Sequence, residues 1–276
     1  SKRGVALRAW LVACHSGALA SRHPDAACKD AFANRSTTWI CPANPDVREY
    51  VAGLAADLST NYPIAAIELE SPDFDSSPHA HAHEKIGLNL GPIERLLLSL
   101  CFCESCVQSA NDADIDAAAV LRSVRVHLAP TIAGQPPRTT SINDFLASDA
   151  LIRAYTRHRT DSIRALVTAV RRRTKIPIFV HAPYAPDLAG WNPADLGQHC
   201  DGFIFPAWTE SPESRRARLA ELIAAAASPD RVHLGFYCYP PQTADGPTLV
   251  RAVHEAVSAG HETIGFYNYG IAPDAG

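Results

Sequence analysis

Three cysteines lie within six residues, in the run Cys101-Phe102-Cys103-Glu104-Ser105-Cys106. Adjacent side chains of an extended Cys-x-Cys diverge, but a turn through Glu104 and Ser105 can bring Cys106 back beside the other two, as in metal-binding knuckles. A tetrahedral zinc site needs a fourth ligand. Cys41 is the best candidate because it directly precedes a strong helix pattern, whereas the remaining cysteines are scattered singly. The pattern predicts a structural zinc site formed by Cys41, Cys101, Cys103 and Cys106.

Two alternative roles for these cysteines stay open. A disulfide could join Cys106 to Cys101 or to Cys41 in an exported protein, or the thiols could be buried as small hydrophobic side chains. Eight cysteines in 276 residues, without regular spacing outside the cluster, fit a reducing compartment better than a disulfide scaffold. We therefore expect a cytoplasmic protein.

Carboxylates form the second group that could do chemistry. Residues 64–70 have the pattern of a strand whose apolar side chains share one face, while Glu68 and Glu70 share the other. If the apolar face meets helices, both carboxylates look into the interior or mouth of a barrel. Our hypothesis makes Glu70 the acid/base residue and Glu68 or the nearby Asp73 the second carboxylate. Glu68 could instead be a structural partner of Arg8.

The loop that follows is dense in groups able to titrate, coordinate or hydrogen-bond. His79, His81 and His83 alternate in the manner of a metal-binding tract, although a loop without a companion carboxylate of fixed geometry is equally compatible with solvated histidines. His83 and Glu84 are candidate substrate contacts. A metal-dependent hydrolase that uses these three histidines is a further functional hypothesis.

Other candidate substrate contacts lie at the ends of predicted strands. His15 and His181 each come directly after a strand, which favours the active face of a barrel over loop capping. Aromatic side chains at strand ends can stack on sugar rings, whereas those deeper in a strand are more often core. The complete set of predicted substrate-binding residues is His15, His83, Glu84, His181, Trp208, Tyr239 and Asn268.

The elements that must position these residues alternate along the chain. Strand patterns cover residues 5–14, 64–70, 176–180, 202–208, 232–239 and 263–269; the later ones recur every 25 to 30 residues, and helical patterns lie between most of them. This alternation predicts an α/β fold, a (β/α)8 TIM barrel, rather than a sandwich. The first run is typical of a strand buried on both faces. A doubly wound sheet is the rival, but no Gly-x-Gly-x-x-Gly follows any strand.

We count six strands rather than eight. The simplest interpretation is that residues 1–276 form one barrel domain and that the first two β/α units precede Ser1. The long stretch from residue 16 to residue 42 has no clear periodicity, and we expect it to be an irregular loop.

Composition narrows the range of partners. A formal net charge of −4 lacks the basic footprint of a nucleic-acid binder, and no apolar run approaches the length of a membrane span. With 47% hydrophobic residues the chain can bury a large core. We expect no nucleic acid and no membrane, and a homo-oligomer is compatible with the sequence.

A helix, a strand and the knuckle Cys101-x-Cys103-x-x-Cys106 follow the run Cys41-Pro-Ala-Asn-Pro-Asp-Val-Arg-Glu-Tyr. This arrangement resembles the glycoside hydrolase family 42 β-galactosidases, and the resemblance covers residues 5–107. The resemblance implies that the six strands are strands three to eight of a TIM barrel. It also implies that the four cysteines bind zinc near the active-site face.

Two departures from that family bear on the activity. Its Asn-Glu pair at the end of strand four falls near Ser71-Pro72, and its nucleophilic glutamate after strand seven is replaced by Tyr237-Cys238-Tyr239-Pro240. A retaining mechanism, which needs two carboxyl groups about 5 to 5.5 Å apart, therefore does not carry over directly. We expect a glycosidase acting on an oligosaccharide or glycoside through the carboxylates of the fourth strand. The alternative is an inactive barrel that binds carbohydrate or a protein partner.

Overall fold

The computed structural model describes residues 4–76, 87–206, 212–241 and 243–267. Along the chain its elements are β1 (Arg8–Val12), α1 (Gly17–Arg22), β2 (Ala27–Lys29), β3 (Arg35–Ile40), α2 (Pro45–Asn61), β4 (Ala66–Glu70), α3 (Pro92–Leu98), α4 (Glu104–Asp112), α5 (Ala117–Ile132), α6 (Ile142–Ser148), α7 (Ala150–Arg173), β5 (Ile178–His181), α8 (Pro186–Ala189), α9 (Pro193–Leu196), β6 (Gly202–Pro206), α10 (Pro212–Ala226), β7 (Val232–Tyr237), α11 (Gly246–Ser258) and β8 (Ile264–Tyr267).

Six strands form one sheet in the order β1-β4-β5-β6-β7-β8, and every neighbouring pair in it is parallel. The sheet curls into a half-barrel with helices on its outer face, which confirms the predicted α/β barrel-type fold. The repeated Gly-Phe-Tyr segments of β7 and β8 lie side by side, with Tyr237 opposite Tyr267. The position of these six strands within a complete (β/α)8 barrel stays a prediction.

β1 differs from its prediction. It lies at the edge of the sheet and pairs only with β4, and Trp10 and Val12 are 50% and 41% exposed. The prediction of a strand buried on both faces was therefore wrong within the described residues. An apolar run is buried on both faces only where packed side chains cover both faces of the strand. The inner face of β1 borders a cavity instead.

Residues 16–42 also differ from the prediction of an irregular loop. They contain α1 and an antiparallel hairpin made of β2 and β3. These elements have three to six residues, too few for a periodic pattern to be read from one sequence. The hairpin positions Cys28 in β2 and Cys41 directly after β3.

The helix that follows Cys41 begins at a clear capping signal. Asn44 caps α2 by accepting hydrogen bonds from the amides of Asp46 and Val47, with Pro45 in the first turn. α7 spans Ala150–Arg173. It packs on α2 beside the sheet and on α4, α5 and α6, which form a helical insertion between β4 and β5. No helix among the described residues is long and apolar enough to cross a membrane.

Candidate functional site

A cavity of about 660 Å³ opens at the carboxyl ends of the parallel strands. This is where barrels of this class carry their chemistry, and the volume is in the usual range for a small-molecule site. Its wall is mostly apolar and aromatic, with a few carboxylates and histidines. The side chains that line it include Trp10, His15, Trp39, Glu68, Glu70, Ser71, Asp73, Phe74, His181, Tyr237, Phe266 and Tyr267.

β4 supplies the two glutamates as its alternation predicted. Ile67 and Leu69 are fully buried towards the helices, while Glu68 and Glu70 project from the opposite face and line the cavity. Parallel pairing with β1 puts Trp10 beside Glu68 and Val12 beside Glu70. The strand therefore brings both carboxylates to one wall.

Glu68 lies in a cationic environment. Its carboxylate is 3.5 Å from Arg8 Nη1 and 3.7 Å from His181 Nε2. Burial raises the pKa of Glu68, but His181 and Arg8 outweigh burial, so its pKa lies below the ordinary value. Glu68 is therefore an ionised carboxylate at neutral pH, and it contacts the Arg8 side chain that the sequence offered as its structural partner.

Arg8 is held in place from the far side of the barrel interior. Its Nη1 donates to His233 Nδ1 at 3.0 Å, and its guanidinium lies 5.1 Å from the centre of the Phe179 ring. Burial and the charge of Arg8 lower the pKa of His233 to about 4. His233 is thus a neutral imidazole that accepts through Nδ1, and it fixes the guanidinium that balances Glu68.

Glu70 stands one pleat nearer the mouth of the cavity and accepts hydrogen bonds from neutral donors. The indole N–H of Trp10 reaches its Oε2 at 3.3 Å, and the Ser71 hydroxyl reaches Oε1 at 3.2 Å. Ser71 has a φ of 51°, an uncommon conformation for a residue with a side chain. It turns the chain sharply at the end of β4.

Asp73 has the opposite electrostatic character to Glu68. Its side chain is 3% exposed yet borders the cavity. Burial, together with the charges of Glu70 and Asp75, raises the pKa of Asp73 well above its ordinary range. The indole N–H of Trp39 binds its backbone carbonyl at 2.7 Å, which fixes this turn of the loop.

The remaining predicted substrate contacts fall into three groups. His15 and His181 border the cavity, and each is stacked on a tryptophan, His15 on Trp39 at 4.6 Å and His181 on Trp10 at 5.2 Å between ring centroids. Tyr239 does not border the cavity and packs against Tyr237 instead. The positions outside the described residues are His83, Glu84, Trp208 and Asn268, together with His79 and His81 of the proposed metal tract.

Several lining residues were not singled out by the sequence. Trp39 and Phe74 come from the end of β3 and the loop after β4, and Phe266 comes from the exposed face of the edge strand β8. Trp39 lies two residues before the cysteine that joins the thiol cluster, which is the one signal that could have placed it near the site. Phe74 and Phe266 carry no signal that separates them from core residues.

The thiol cluster lies beside this site and is buried. The Sγ atoms of Cys41, Cys101, Cys103 and Cys106 all lie within 4.8 Å of one another. The pair from Cys41 to Cys106 is 3.4 Å apart and the pair from Cys101 to Cys41 is 3.9 Å apart. A tetrahedral site with Zn–S bonds of about 2.3 Å has edges of about 3.8 Å, so the four sulfurs fit a zinc ion. A disulfide of about 2.05 Å is not formed between them.

The β2–β3 hairpin contacts the cysteine knuckle of residues 101–106. The Lys29 amide lies 3.3 Å from Cys101 Sγ, and the Lys29 ammonium lies 2.8 Å from the Glu104 carboxylate. Cys28, the residue before Lys29, is a fifth buried thiol in contact with the thiols of Cys41 and Cys101. Sequence spacing missed Cys28 because the hairpin that places it was not predicted.

The cluster brings the end of the β2–β3 hairpin next to the start of α4, outside the cavity. None of its four cysteines borders the cavity, and a metal with four thiolate ligands has no open position for a substrate. Burial raises the pKa of the Cys41 thiol, so metal binding must displace its proton. The group is suited to a structural role.

The fold and the position of the cavity define an α/β barrel with a cavity of small-molecule size at the carboxyl ends of its strands. No family model matches the sequence, and no curated protein matches it. Solved structures share the fold at 10–15% sequence identity, a level that establishes the fold alone.

Three of these structures are enzymes of sugar chemistry. The catalytic domain of β-amylase from Paenibacillus polymyxa aligns with a TM-score of 0.63 at 10% identity, over 96% of this chain and 77% of that domain. The PgaB (BpsB) glycoside hydrolase domain from Bordetella bronchiseptica gives 0.56 at 14% identity, over 97% and 71%. The β-galactosidase from Bacillus circulans sp. alkalophilus gives 0.55 at 15% identity, over 92% of this chain and 39% of that enzyme. The neighbours support the α/β-barrel fold, and the resemblance to glycoside hydrolase family 42 stays a prediction.

Removing one cluster thiol should release bound zinc. We expect Cys103→Ser to lose about one zinc per chain and to lower the melting temperature, because three thiolates leave one coordination position of the metal without a thiolate ligand. Zinc content by atomic emission and a thermal melt measure both effects. Cys200→Ser is the control, since Cys200 is buried outside the cluster and bonds the carbonyl of Leu196. Equal zinc content in the two variants would contradict the site.

Neutral substitutions of the two shifted carboxylates should change stability in opposite directions. Glu68→Gln leaves Arg8 without its counter-charge and should cost about 1 kcal/mol near pH 7, since solvent screens this partly exposed pair. The Glu68 contribution exists above its unfolded pKa near 4.5 and is lost as pH falls through the lower folded pKa.

Asp73→Asn should instead stabilise the fold at pH 7. The folded state holds the Asp73 proton to higher pH than the unfolded chain, so Asp73 makes stability fall as pH rises from about 3.8 through the raised pKa. Urea unfolding of both variants from about pH 4 to 8 compares them. Destabilisation by Asp73→Asn at pH 7 would show that the carboxylate is paired rather than merely buried.

Proposed function

We propose that this barrel is the catalytic domain of a glycoside hydrolase that acts on an oligosaccharide or glycoside through the carboxylates at the end of β4. The observation that carries the proposal is the division of charge along one wall of the cavity. Glu68 is ionised, Asp73 favours its protonated form, and Glu70 lies between them at the strand end. Carboxyl groups whose environments push their pKa values apart are the usual mark of an acid and its ionised partner.

Asp73 suits the role of general acid. Its buried position keeps the proton at a pH where an ordinary aspartate has lost it, and its side chain borders the space that a glycosidic oxygen would enter. The sequence hypothesis gave the acid/base role to Glu70. Glu70 instead accepts hydrogen bonds from the Trp10 indole and the Ser71 hydroxyl at the mouth of the cavity. Glu70 would then act as the base or nucleophile.

The aromatic wall suits a sugar ring. Trp10 is half exposed, and it is fixed by its hydrogen bond to Glu70 and by stacking on His181. A fixed indole face packs well against the C–H face of a pyranose while the hydroxyl groups meet polar side chains at the edges. Tyr267, whose ring lies 5.6 Å from Trp10, continues this surface along the edge strand.

The four clustered cysteines would hold a structural zinc ion. A bound zinc supplies cross-linking of loops rather than catalysis, since all four ligands are protein thiolates. In this chain the cross-link would join the β2–β3 hairpin, the start of α2 and the segment before α4. That arrangement would limit the movement of Trp39, which lies close to Cys41 in sequence and binds the carbonyl of Asp73.

A catalytically inactive barrel that binds sugar is the second candidate, and one observation favours it. Among the described residues every carboxylate that borders the cavity comes from β4 and the loop after it, and the described ends of β5 to β8 contribute none. Most glycosidases flank the scissile bond with carboxyl groups on two sides. The metal-dependent hydrolase hypothesis depends on His79, His81 and His83, which lie outside the described residues.

Activity on a panel of nitrophenyl glycosides and oligosaccharides tests the proposal. We expect Asp73→Asn and Glu70→Gln each to lower kcat by about 100- to 10,000-fold while the fold survives. Glu255→Gln, on the exposed face of α11, is the matched control and should keep wild-type activity. For Asp73→Asn the loss should be smallest with substrates whose leaving group needs no proton, such as dinitrophenyl glycosides.

The outcomes separate the candidates. Sugar binding without turnover on any substrate would support the inactive barrel. Activity that a chelator abolishes at an unchanged melting temperature would point to metal-dependent hydrolysis. Full activity in both Asp73→Asn and Glu70→Gln would overturn the assignment of the chemistry to β4.

A further inference from the structure

Arg159 is a deeply buried charged residue that the proposed chemistry does not use. It lies in the middle of α7 and is 1% exposed. Arginine is almost never fully buried unless an anion accompanies it. Other arginines of α7, such as Arg157, lie on exposed positions of the same helix.

The direct partners of Arg159 are neutral. Its Nη2 donates to the backbone carbonyls of Ser99 and Leu188, each at 2.9 Å, and its guanidinium lies 4.7 Å from the centre of the Phe74 ring. Its Nε and Nη1 atoms have no hydrogen-bond acceptor among the described residues. The side chain therefore brings a full charge and unsatisfied donors into the interior, where its contacts are carbonyls and a ring.

Two side chains of α7 contact the segment that leads into the thiol cluster. Tyr155 lies one helical turn before Arg159, and its hydroxyl donates to the Cys101 carbonyl at 2.6 Å. Arg159 binds the carbonyl two residues earlier, at Ser99, so the same face of α7 clamps the segment that enters the knuckle. The thiols that act on the guanidinium electrostatically include those of Cys101, Cys106 and Cys28.

The charge of this cluster depends on whether metal is present. Four neutral thiols carry no charge, whereas four thiolates around a divalent zinc ion carry a net charge of about −2. Asp73 is also within electrostatic range of Arg159, but burial favours its neutral form, so it supplies little compensation. Among the described groups near Arg159, the loaded cluster is the one that gives the guanidinium a full counter-charge.

Arg159 also connects the cluster to the wall of the cavity. Phe74 follows Asp73 in the loop after β4, and Leu188 belongs to α8 after β5. Gly190 allows this contact to be close, because its φ is +74° and an added Cβ would lie 3.4 Å from Arg159. One side chain thus holds the knuckle segment, the loop that carries Asp73 and the loop after β5.

We propose that Arg159 is the counter-charge of the metal-loaded thiol cluster and the positioning residue that couples this cluster to the Asp73 loop. This role rests on the proposed zinc occupancy. Zinc binds more weakly without Arg159, and Arg159 stabilises the loaded protein but destabilises the unloaded one.

Zinc affinity and stability of Arg159→Met test the proposal, because methionine keeps much of the side-chain length without the charge. Zinc competition with a chromophoric chelator should show an affinity at least about 10-fold below wild type. Urea unfolding should show that the variant lowers the midpoint of the zinc-loaded protein and leaves the unloaded midpoint unchanged or higher. Arg159→Lys, which keeps the charge, should recover most of the zinc affinity, and Arg157→Met should match wild type.

The outcomes distinguish the role of Arg159 from the zinc assignment. If wild-type protein binds no zinc, the zinc assignment fails and this proposal fails with it. If wild type binds zinc and Arg159→Met binds it equally tightly, Arg159 is only a packing residue and this proposal alone is overturned. Equal destabilisation of loaded and unloaded protein would lead to the same conclusion. Should Arg159→Met not fold, a loss of zinc affinity of about 10-fold in Arg159→Lys would overturn the role of charge.

Discussion

The structure depends on how charge is balanced on the cavity face of β4. Parallel pairing and strand alternation force Glu68 and Glu70 into a half-barrel interior, where a carboxylate without a partner is costly. The Arg8 guanidinium balances the charge of Glu68. His233 is a neutral imidazole and accepts a hydrogen bond from Arg8. Among the described residues no cation contacts Asp73 in this way, so its proton is retained to higher pH. The difference between Glu68 and Asp73 follows from the His181 and Arg8 side chains beside Glu68 and from the deep burial of Asp73.

A second layer keeps the wall of the cavity rigid. The segment between β1 and α2 covers residues 13–44, and a segment of this length loses considerable entropy when it is ordered. The β2–β3 hairpin lies within this segment, and the Lys29 amide of the hairpin contacts Cys101 of the thiol cluster. Trp39 links this segment to the cavity, because it lies close to Cys41 in sequence and its indole N–H binds the carbonyl of Asp73. The cluster is thus related to the chemistry through position rather than through contact with a substrate.

Much of this arrangement could be predicted from local patterns. The alternation of β4 predicted the cavity face of Glu68 and Glu70, and the cysteine spacing predicted that Cys101, Cys103 and Cys106 meet. Both predictions succeed because strand geometry and short knuckles are determined largely by residues near one another in sequence. The parallel sheet followed from the repeated spacing of strands and helices for the same reason.

The remaining features depend on packing between distant segments. The burial of Asp73 and the contacts of Arg159 arise from loops that meet only in the fold, so neither residue has a signal in its own neighbourhood. The β2–β3 hairpin was too short to detect, and Cys28 was therefore taken for an isolated cysteine. β1 resembled a fully buried strand because its composition does not reveal that one face borders a cavity.

The proposed function requires that the β4 wall bind a sugar with its glycosidic bond beside Asp73 and Glu70. A crystal structure of Asp73→Asn soaked with an oligosaccharide that the protein binds would show whether it does. We expect a sugar ring stacked against Trp10, with a glycosidic oxygen within hydrogen-bond distance of residue 73 and the carboxylate of Glu70 facing the anomeric carbon. An oligosaccharide bound elsewhere on the barrel, with the β4 wall untouched, would contradict the proposed function.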